Sequence, residues 1–305
     1  MRAAFLGTPA AAIPSLAALV QIADVEFVVT QPDRRRGRGR QRGRPPVKEA
    51  ALEWGIPLHQ PTGHAELLEL FTDAALDVAV VVAYGRILES ALLRTTRAGF
   101  VNVHFSLLPR WRGAAPVERA IATGDEVTGV SLMLVDEGLD TGPVITAKET
   151  DIDEDETGGS LTARLADLGG LLLSEVLADY VAGHRIPAPQ IDAGALKAPR
   201  VRTADARLDA ASSAEELERA VRAFHPRPGA WLETEGIRLK VSAARFSEAR
   251  VAPGIIEIIG GRPVLGCAGG SLELVAVQPE GKRLLSGLEW ANGRRGAPAT
   301  VDAPQ

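Results

Sequence analysis

The chain has 305 residues, 46% of them hydrophobic and 24% charged, with a formal net charge of −5; it exceeds what one hydrophobic core usually supports, so two domains are expected. A single cysteine, Cys267, excludes an intramolecular disulfide and fits a reducing compartment, so the cytoplasm is expected. No secretory leader is read near Arg2, no apolar stretch reaches the roughly 18 residues of a membrane span, and the negative balance leaves any nucleic-acid contact to local charge.

Residues 2–7 read as a buried first strand and 7–9 as its turn, followed by a helical spacing through Leu16, Leu19 and Val20 and a second strand at 24–30. This βαβ opening is that of a doubly wound sheet. Its first turn has one glycine and no Lys-Ser/Thr pair, and Gly43 arrives one place too late to complete G-x-G-x-x-G after Gly37 and Gly39. Neither NAD nor ATP is therefore expected. Residues 31–46 carry seven arginines from Arg34 to Arg44, interleaved with Gly37, Gly39 and Gly43, without an acid between them. Like charges repel and glycines do not order, which predicts a mobile loop. A solvated charge run is the plain reading, but basic runs of this length often bind polyanions.

Helices are expected at 47–54 and 65–71, with an extended piece at 56–59; His59 and His64 lack partners at metal-ligand spacing. Residues 77–83 form a continuous apolar run, as a central parallel strand should, and Tyr84-Gly85 ends it. The next strand carries Asn102 and His104, two apart and so on one face, at the carboxyl edge where open α/β sheets bind ligands. Alone, Asn-x-His is more often a pair of satisfied polar residues. Here Ser106-Leu107-Leu108-Pro109 turns the backbone away at once, leaving main-chain groups to meet a ligand, and Arg110 and Arg112 add positive charge. A helix restarts at Pro116. Strands at 128–134 and 143–149 enclose a second glycine-punctuated loop, 136–142, which offers the carboxylate of Asp140. An amide, an imidazole and a carboxylate together can stabilise an oxyanion and move a proton, so acyl-group chemistry is indicated.

Asp151, Asp153 and Asp155 alternate like a calcium loop, but Glu156 and Thr162 stand where Gly and Glu would be needed. A helix at 160–181 has an apolar stripe through Leu161, Leu165, Leu168, Leu172 and Val176 that should cover one sheet face. Residues 184–200, with Pro187, Pro189, Gly194 and Pro199, show no periodicity and read as a linker. A helix at 213–224 opens with the capping box Ser213-Ala-Glu-Glu216. Short runs at 231–233, 237–241, 254–259, 263–266 and 272–277, broken by Gly or Pro, suggest a small β-barrel.

The motif Asn102-Val103-His104-Phe105-Ser106-Leu107-Leu108-Pro109, with 136–142 (Asp-Glu-Gly-Leu-Asp-Thr-Gly), resembles the formyltransferases that use 10-formyltetrahydrofolate. Residues 110–116 (Arg-Trp-Arg-Gly-Ala-Ala-Pro) narrow the likeness to the branch that acts on methionyl-tRNA. The resemblance implies a Rossmann-like doubly wound catalytic domain at 1–186, a linker at 187–203 and an OB-like tRNA-binding barrel at 204–305. It implies Asn102 as oxyanion donor, His104 as oxyanion stabiliser or proton carrier, and Asp140 as its orienting carboxylate. It also implies a folate pocket built from Tyr84, Gly85, Ser106, Leu107, Leu108 and Pro109. The basic loop at 31–46, with Lys48 just after it, would contact the acceptor arm of initiator methionyl-tRNA through Arg34, Arg36, Arg38, Arg40, Arg42 and Lys48. This loop is richer in arginine than the family pattern, and 206–210 lack the tryptophan of an expected acid-and-Trp motif. No metal is required, and a monomer is expected. The rivals are a related formyltransferase acting on glycinamide ribonucleotide or an amino sugar nucleotide, and a nucleic-acid-binding module without catalysis. The extra hundred residues oppose the glycinamide ribonucleotide enzyme and the arginine loop the amino-sugar enzyme, while formyl transfer from 10-formyltetrahydrofolate would separate the module without catalysis. The Gly-x-Ser-x-Gly of a serine hydrolase is missing.

Overall fold

Uninterrupted runs of Ala, Val and Phe place the central strands between two covered faces, and that sheet is the frame of the amino-terminal half. The computed structural model describes residues 1–36 and 41–303. They divide into two units: Met1–Pro116, Val127–Asp151 and Thr162–Ala198 form the first, and Val117–Glu126, Ile152–Leu161 and Pro199–Gln305 the second.

In chain order the elements up to residue 198 are β1 (Arg2–Gly7), α1 (Ile13–Ile22), β2 (Asp24–Val29), β3 (Arg34–Arg36), β4 (Gln41–Gly43), α2 (Pro46–Glu53), β5 (Leu58–His59), α3 (His64–Thr72), β6 (Val78–Val82), α4 (Ser90–Leu93), β7 (Phe100–His104), β8 (Arg112–Gly113), α5 (Pro116–Thr123), β9 (Val127–Leu134), β10 (Val144–Asp151), α6 (Gly158–Val181) and β11 (Lys197–Ala198). The main sheet has seven strands in the order β10-β9-β7-β6-β1-β2-β5. Pairing is parallel from β7 through to β5, and β9 and β10 are antiparallel. Every residue of β6 is buried. From β1 the chain first moves outward through β2 and β5, then returns to the other flank of β1 with β6 and β7. The carboxyl ends of β6 and β7 therefore lie beside the topological switch point, where such sheets bind ligands.

Helix α6 covers this sheet as its apolar stripe predicts. Leu165, Leu172 and Val176 are buried, and a glycine pair sets how closely the helix approaches. A Cβ on Gly169 would lie 2.7 Å from Val103 Cγ1, and one on Gly170 would lie 2.8 Å from the Pro14 carbonyl oxygen of α1.

Two segments differ from the sequence reading. Residues 31–46, expected as a loop without regular structure, contain the antiparallel ribbon β3/β4, paired Arg34↔Gly43, Arg35↔Arg42 and Arg36↔Gln41. Local repulsion argued against order, but the root of the ribbon is fixed by contacts outside the arginine run, described below. Arg38 and Arg40 lie outside the described residues. The second segment is 187–198, read as linker. Ala188 bridges to Val144, and Lys197 and Ala198 pair in parallel with Arg112 and Gly113, so these residues belong to the first unit.

The second unit continues with α7 (Ala214–Ala223), β12 (Trp231–Thr234), β13 (Ile237–Ser247), β14 (Ile255–Ile259), β15 (Arg262–Gly266), β16 (Ser271–Pro279), β17 (Leu285–Ser286), α8 (Gly287–Gly293) and β18 (Ala299–Thr300). Its strands run in the order β12-β13-β16-β15-β14-β18, with β17 on β16. A bridge between Thr234 and Val301 brings the two ends of that order together, which makes a nearly closed barrel. Leu232, Leu239, Val241, Leu272 and Leu274 fill it, and Leu217 and Val221 of α7 pack on that core. The α7 capping box is present: Glu216 N donates to Ser213 Oγ at 3.1 Å and Ser213 N to Glu216 Oε2 at 2.9 Å. Such a cap is worth about 1 kcal/mol. Cys267 is buried in this core, and burial pushes its thiol up to about 11, so it packs as a small hydrophobe. No helix among the described residues is long and apolar enough to cross a membrane.

The Gly170 contact gives a test in which two effects oppose. Gly170→Ala gains up to about 1 kcal/mol of helix propensity, but its methyl meets the backbone of α1, and overpacking of this kind costs about 1–3 kcal/mol. The clash outweighs the gain because a carbonyl cannot rotate away as a side chain can. Chemical denaturation should show a lower midpoint for Gly170→Ala at unchanged slope; a higher midpoint would contradict the packing.

Candidate active site

Strand β7 ends at the carboxyl edge with Asn102 and His104 on one face, Asn102 half-buried and His104 6% exposed. Beyond it the chain turns on internal hydrogen bonds. Ser106 Oγ donates to the Arg110 carbonyl at 2.6 Å, while Ser131 Oγ on β9 donates to the Ser106 carbonyl at 2.7 Å and accepts from Leu108 N at 3.1 Å. The turn returns Trp111 to β7, where its carbonyl oxygen lies 3.0 Å from His104 Nε2. A carbonyl only accepts, so Nε2 carries the proton and Nδ1 is the basic atom of the neutral ring.

That basic atom faces Asp140, whose Oδ2 is 3.7 Å away. The same oxygen accepts from Gly113 N at 2.8 Å, and Asn102 Nδ2 approaches the other at 3.4 Å. Three donors or donors-to-be thus converge on one carboxylate. The loop that presents it is tied within itself by Gly138 N and Thr141 Oγ1, both donating to Asp136, at 3.0 and 2.8 Å. It is also tied to 187–198, where Gln190 Nε2 donates to the carbonyls of Asp140 and Gly142 at 2.9 and 2.7 Å. Asp140 has φ +54°, Trp111 +62° and Ala83 +46°, all in the left-handed region. Each such residue costs about 1–3 kcal/mol and persists only where its surroundings impose it, and such strain gathers at functional sites.

Beside these groups opens a cleft of about 280 Å³, lined by the end of β6 and the loop after it, by Asn102 and His104, and by Met133, Val135 and Asp140. The N–H and C=O groups of Arg86, Ile87 and Leu88 belong to no helix or strand and bond to no other described residue. One wall is therefore a free peptide edge able to read a flat, hydrogen-bonding heterocycle. Tyr84 and Gly85 line the cleft, but the Tyr84 ring lies in the core with Phe71 and Phe100. Burial pushes its phenol up. Ser106, Leu107, Leu108 and Pro109 are not among the residues that line this cleft; Ser106 Oγ, the Ser106 and Leu107 carbonyls and Leu108 N are bonded within the turn or to Ser131. Sequence reasoning missed the carbonyl of Trp111, the amide of Gly113, Gln190, Ser131 and the peptide edge at 86–88. Only the polar break after a buried strand hinted at the last.

Below the arginine ribbon, Lys48 Nζ bonds Asp33 at 2.8 and 2.9 Å and Gln60 Oε1 at 2.8 Å, and its side chain is 16% exposed. The bonds from Lys48 and then Gln60 hold the Asp33 carboxyl below the usual range. Gln60 Nε2 also donates to the Gln31 carbonyl at 2.8 Å, and Arg86 Nε donates to Gln31 Oε1 at 3.2 Å. Lys48, expected as a phosphate contact, thus has its ammonium occupied at the ribbon's root. Arg34, Arg36 and Arg42 lie on the two ribbon strands. Among the described residues no group of three His, Cys, Asp or Glu could hold a metal ion.

Comparison with known proteins places these features. A family model described as formyl transferase matches residues 1–177, and the formyl transferase C-terminal domain matches 200–295. Methionyl-tRNA formyltransferase of Myxococcus xanthus is 47% identical over 302 residues, covering 98% of this chain and 97% of that protein. That of Halorhodospira halophila is 46% identical, covering 97% of each. Among solved structures, HypX from Aquifex aeolicus in complex with tetrahydrofolic acid has a TM-score of 0.67 at 16% identity, over 95% of this chain and 46% of that one. The N-formyltransferase from Helicobacter canadensis, in complex with folinic acid and dTDP-3-aminofucose, has a TM-score of 0.66 at 16% identity, over 89% and 98%. These two share the fold. With both domain families matched in order and nearly half of the residues identical to methionyl-tRNA formyltransferases end to end, the chain belongs to the formyl transferase family, in its methionyl-tRNA formyltransferase branch.

Proposed function

We propose that this enzyme transfers the formyl group of 10-formyltetrahydrofolate to the α-amino group of methionyl initiator tRNA, for the initiation of translation in the cytoplasm. The observation that carries this reading is the basic nitrogen of His104 between a carboxylate and an amide, beside a cleft with a free peptide edge. Residues 86–88 offer the alternating N–H and C=O groups that a pterin edge requires, and the neighbouring apolar side chains suit its flat faces.

The donor supplies the one-carbon unit as an activated amide. The acceptor amine attacks as the free base, and with an ordinary pKa near ~8 it is partly in that form at neutral pH. Asn102 Nδ2 donates to the formyl oxygen as negative charge develops there, a stabilisation that acts where charge appears rather than on the resting substrate. His104 takes the surplus amine proton at Nδ1. Its Nε2–H stays on the Trp111 carbonyl, so the ring keeps its orientation as its charge changes. Asp140 stabilises the imidazolium so formed, held in place by the Gly113 amide. The proton then leaves Nδ1 for the departing nitrogen. No metal takes part in this reading.

Formyl transfer to Met-tRNA should fall by at least about 10²-fold in His104→Ala and Asp140→Ala, the usual scale for a proton-transfer group, and by about 10²–10³-fold in Asn102→Ala. KM for the donor should change little, because these groups act chiefly on the transition state. Near-normal turnover in all three variants would remove the site assignment.

For the acceptor, we assign phosphate contacts to Arg34, Arg36 and Arg42, on the ribbon strands, and to Arg38 and Arg40, which fall between them in sequence. Each phosphate neutralised releases counterions, so log affinity falls with log salt at a slope of about −0.7 to −0.9 per contact. Replacing Arg35, Arg36, Arg38 and Arg40 together by Ser should raise KM for Met-tRNA and flatten its salt dependence, leaving tetrahydrofolate affinity unchanged. An unchanged salt slope in that variant would make the arginines a solvated surface and move tRNA recognition elsewhere.

A further inference from the structure

We propose that Gln190, oriented by Arg112, is the positioning residue that fixes the Asp140 carboxylate for proton transfer; the proposal deepens the formyl-transfer reading above and rests on it. Gln190 stands in the segment whose composition reads as linker, and nothing in its surroundings in sequence suggests a role. In the structure its one amide group satisfies three bonds. Nε2 donates to the carbonyls of Asp140 and Gly142, at 2.9 and 2.7 Å, and Oε1 accepts from Arg112 Nε at 2.9 Å. The amide therefore spans the backbone on both sides of Thr141 and cannot flip without losing all three bonds, since Oε1 would then face two carbonyls.

The geometry explains why such a clamp is needed. Asp140 is a non-glycine residue at φ +54°, a conformation that relaxes unless its neighbours impose it. The carboxylate bonds are few: a good one from Gly113 N at 2.8 Å and a long one from Asn102 Nδ2 at 3.4 Å. Neither fixes the backbone that aims the side chain. Gln190 does so, and Arg112 links the clamp to the other half of the site. The two residues flanking the Gly113 peptide region are docked on the same segment: Arg112 N donates to the Leu196 carbonyl at 2.8 Å and Ala115 N to the Ala198 carbonyl at 3.1 Å. Gly113 itself has φ +129°, and a Cβ there would lie 2.5 Å from the Ala198 oxygen. One segment, 190–198, thus holds both the carboxylate's backbone and the amide that the carboxylate accepts from. Arg112 also pairs with Asp192 at 2.9 Å, which keeps its guanidinium at the clamp.

The test uses Gln190→Leu in the full chain, with Arg112→Lys as a second variant that keeps the charge but loses the planar Nε–H donor. Amide exchange measured by NMR on the unliganded protein reads the carboxylate directly, because the Gly113 N–H is bonded to Asp140. In Gln190→Leu the Gly113 amide should lose its protection as in Asp140→Ala, while the amides of Arg112 and Ala115 stay protected and show that the segment remains docked. In the assay, kcat should fall about 10- to 100-fold, the scale of a displacement of order 1 Å, with KM for the formyl donor within about threefold. Arg112→Lys should move both readouts the same way by a smaller factor. A protected Gly113 amide with kcat within about twofold of the parent, in Gln190→Leu or in Arg112→Lys should the former not fold, would overturn the proposal. So would loss of protection at all three amides together, which is undocking of the segment and not repositioning of the carboxylate. The exchange arm needs no substrate, so it judges the clamp even if the parent protein fails to formylate Met-tRNA, an outcome that would remove the functional reading instead.

Discussion

Asp140 holds its carboxylate against His104 Nδ1 while its own backbone sits in an unfavourable conformation, and much of the first unit serves to keep it there. The sheet pairs β7 with β9 antiparallel, so the chain leaves His104 and Leu134 at opposite ends of the pair, and the loop after Leu134 must fold back to bring Asp140 to His104 and Asn102. The turn after His104 is closed by Ser131 from β9, which places the Trp111 carbonyl on Nε2 and thereby decides which nitrogen is basic. Gly113 lends its amide to the carboxylate, and Gln190 fixes the peptide that bears it. Remove any of these and the imidazole and the carboxylate lose their mutual orientation, although both residues remain.

The division between what was legible and what was not follows the range of the interactions. Asn102 and His104 could be read because strand periodicity is local: two residues apart on a buried strand must share a face. The buried runs at 2–7 and 77–83 were legible for the same reason. The geometry of Asp140 was not, because its partner amide at Gly113 is 27 residues away and its clamp at Gln190 is 50 away. Composition gave a wrong picture of 187–198, since Pro and Gly mark a chain without helical or strand periodicity but do not say whether its polar groups find partners. The turn at 106–109 looked ready for a ligand; a serine on another strand takes up two of its main-chain groups, the Ser106 carbonyl and Leu108 N.

The arginine ribbon shows how a local argument can be sound and still incomplete. Charge repulsion and glycine freedom do oppose order within 34–44. The clamp lies outside it, in the Lys48–Asp33 pair and Gln60. Helix α8 is the opposite case. Its capping box, Ser286-Gly-Leu-Glu289, stood in the sequence, and in the structure it is formed. The helix is only seven residues long and has glycine at both ends, so a propensity argument passes over it; packing of Trp290 into the barrel core supplies what propensity lacks.

The central claim is that the site built around Asp140 moves a formyl group onto an aminoacyl-tRNA rather than onto a small amine. The most direct measurement offers one limiting pool of 10-formyltetrahydrofolate to Met-tRNA, glycinamide ribonucleotide and a dTDP-linked amino sugar together, and quantifies each formylated product. The account predicts N-formylmethionyl-tRNA as the dominant product by orders of magnitude in kcat/KM. Formylation of either small amine at a comparable or greater kcat/KM would contradict it.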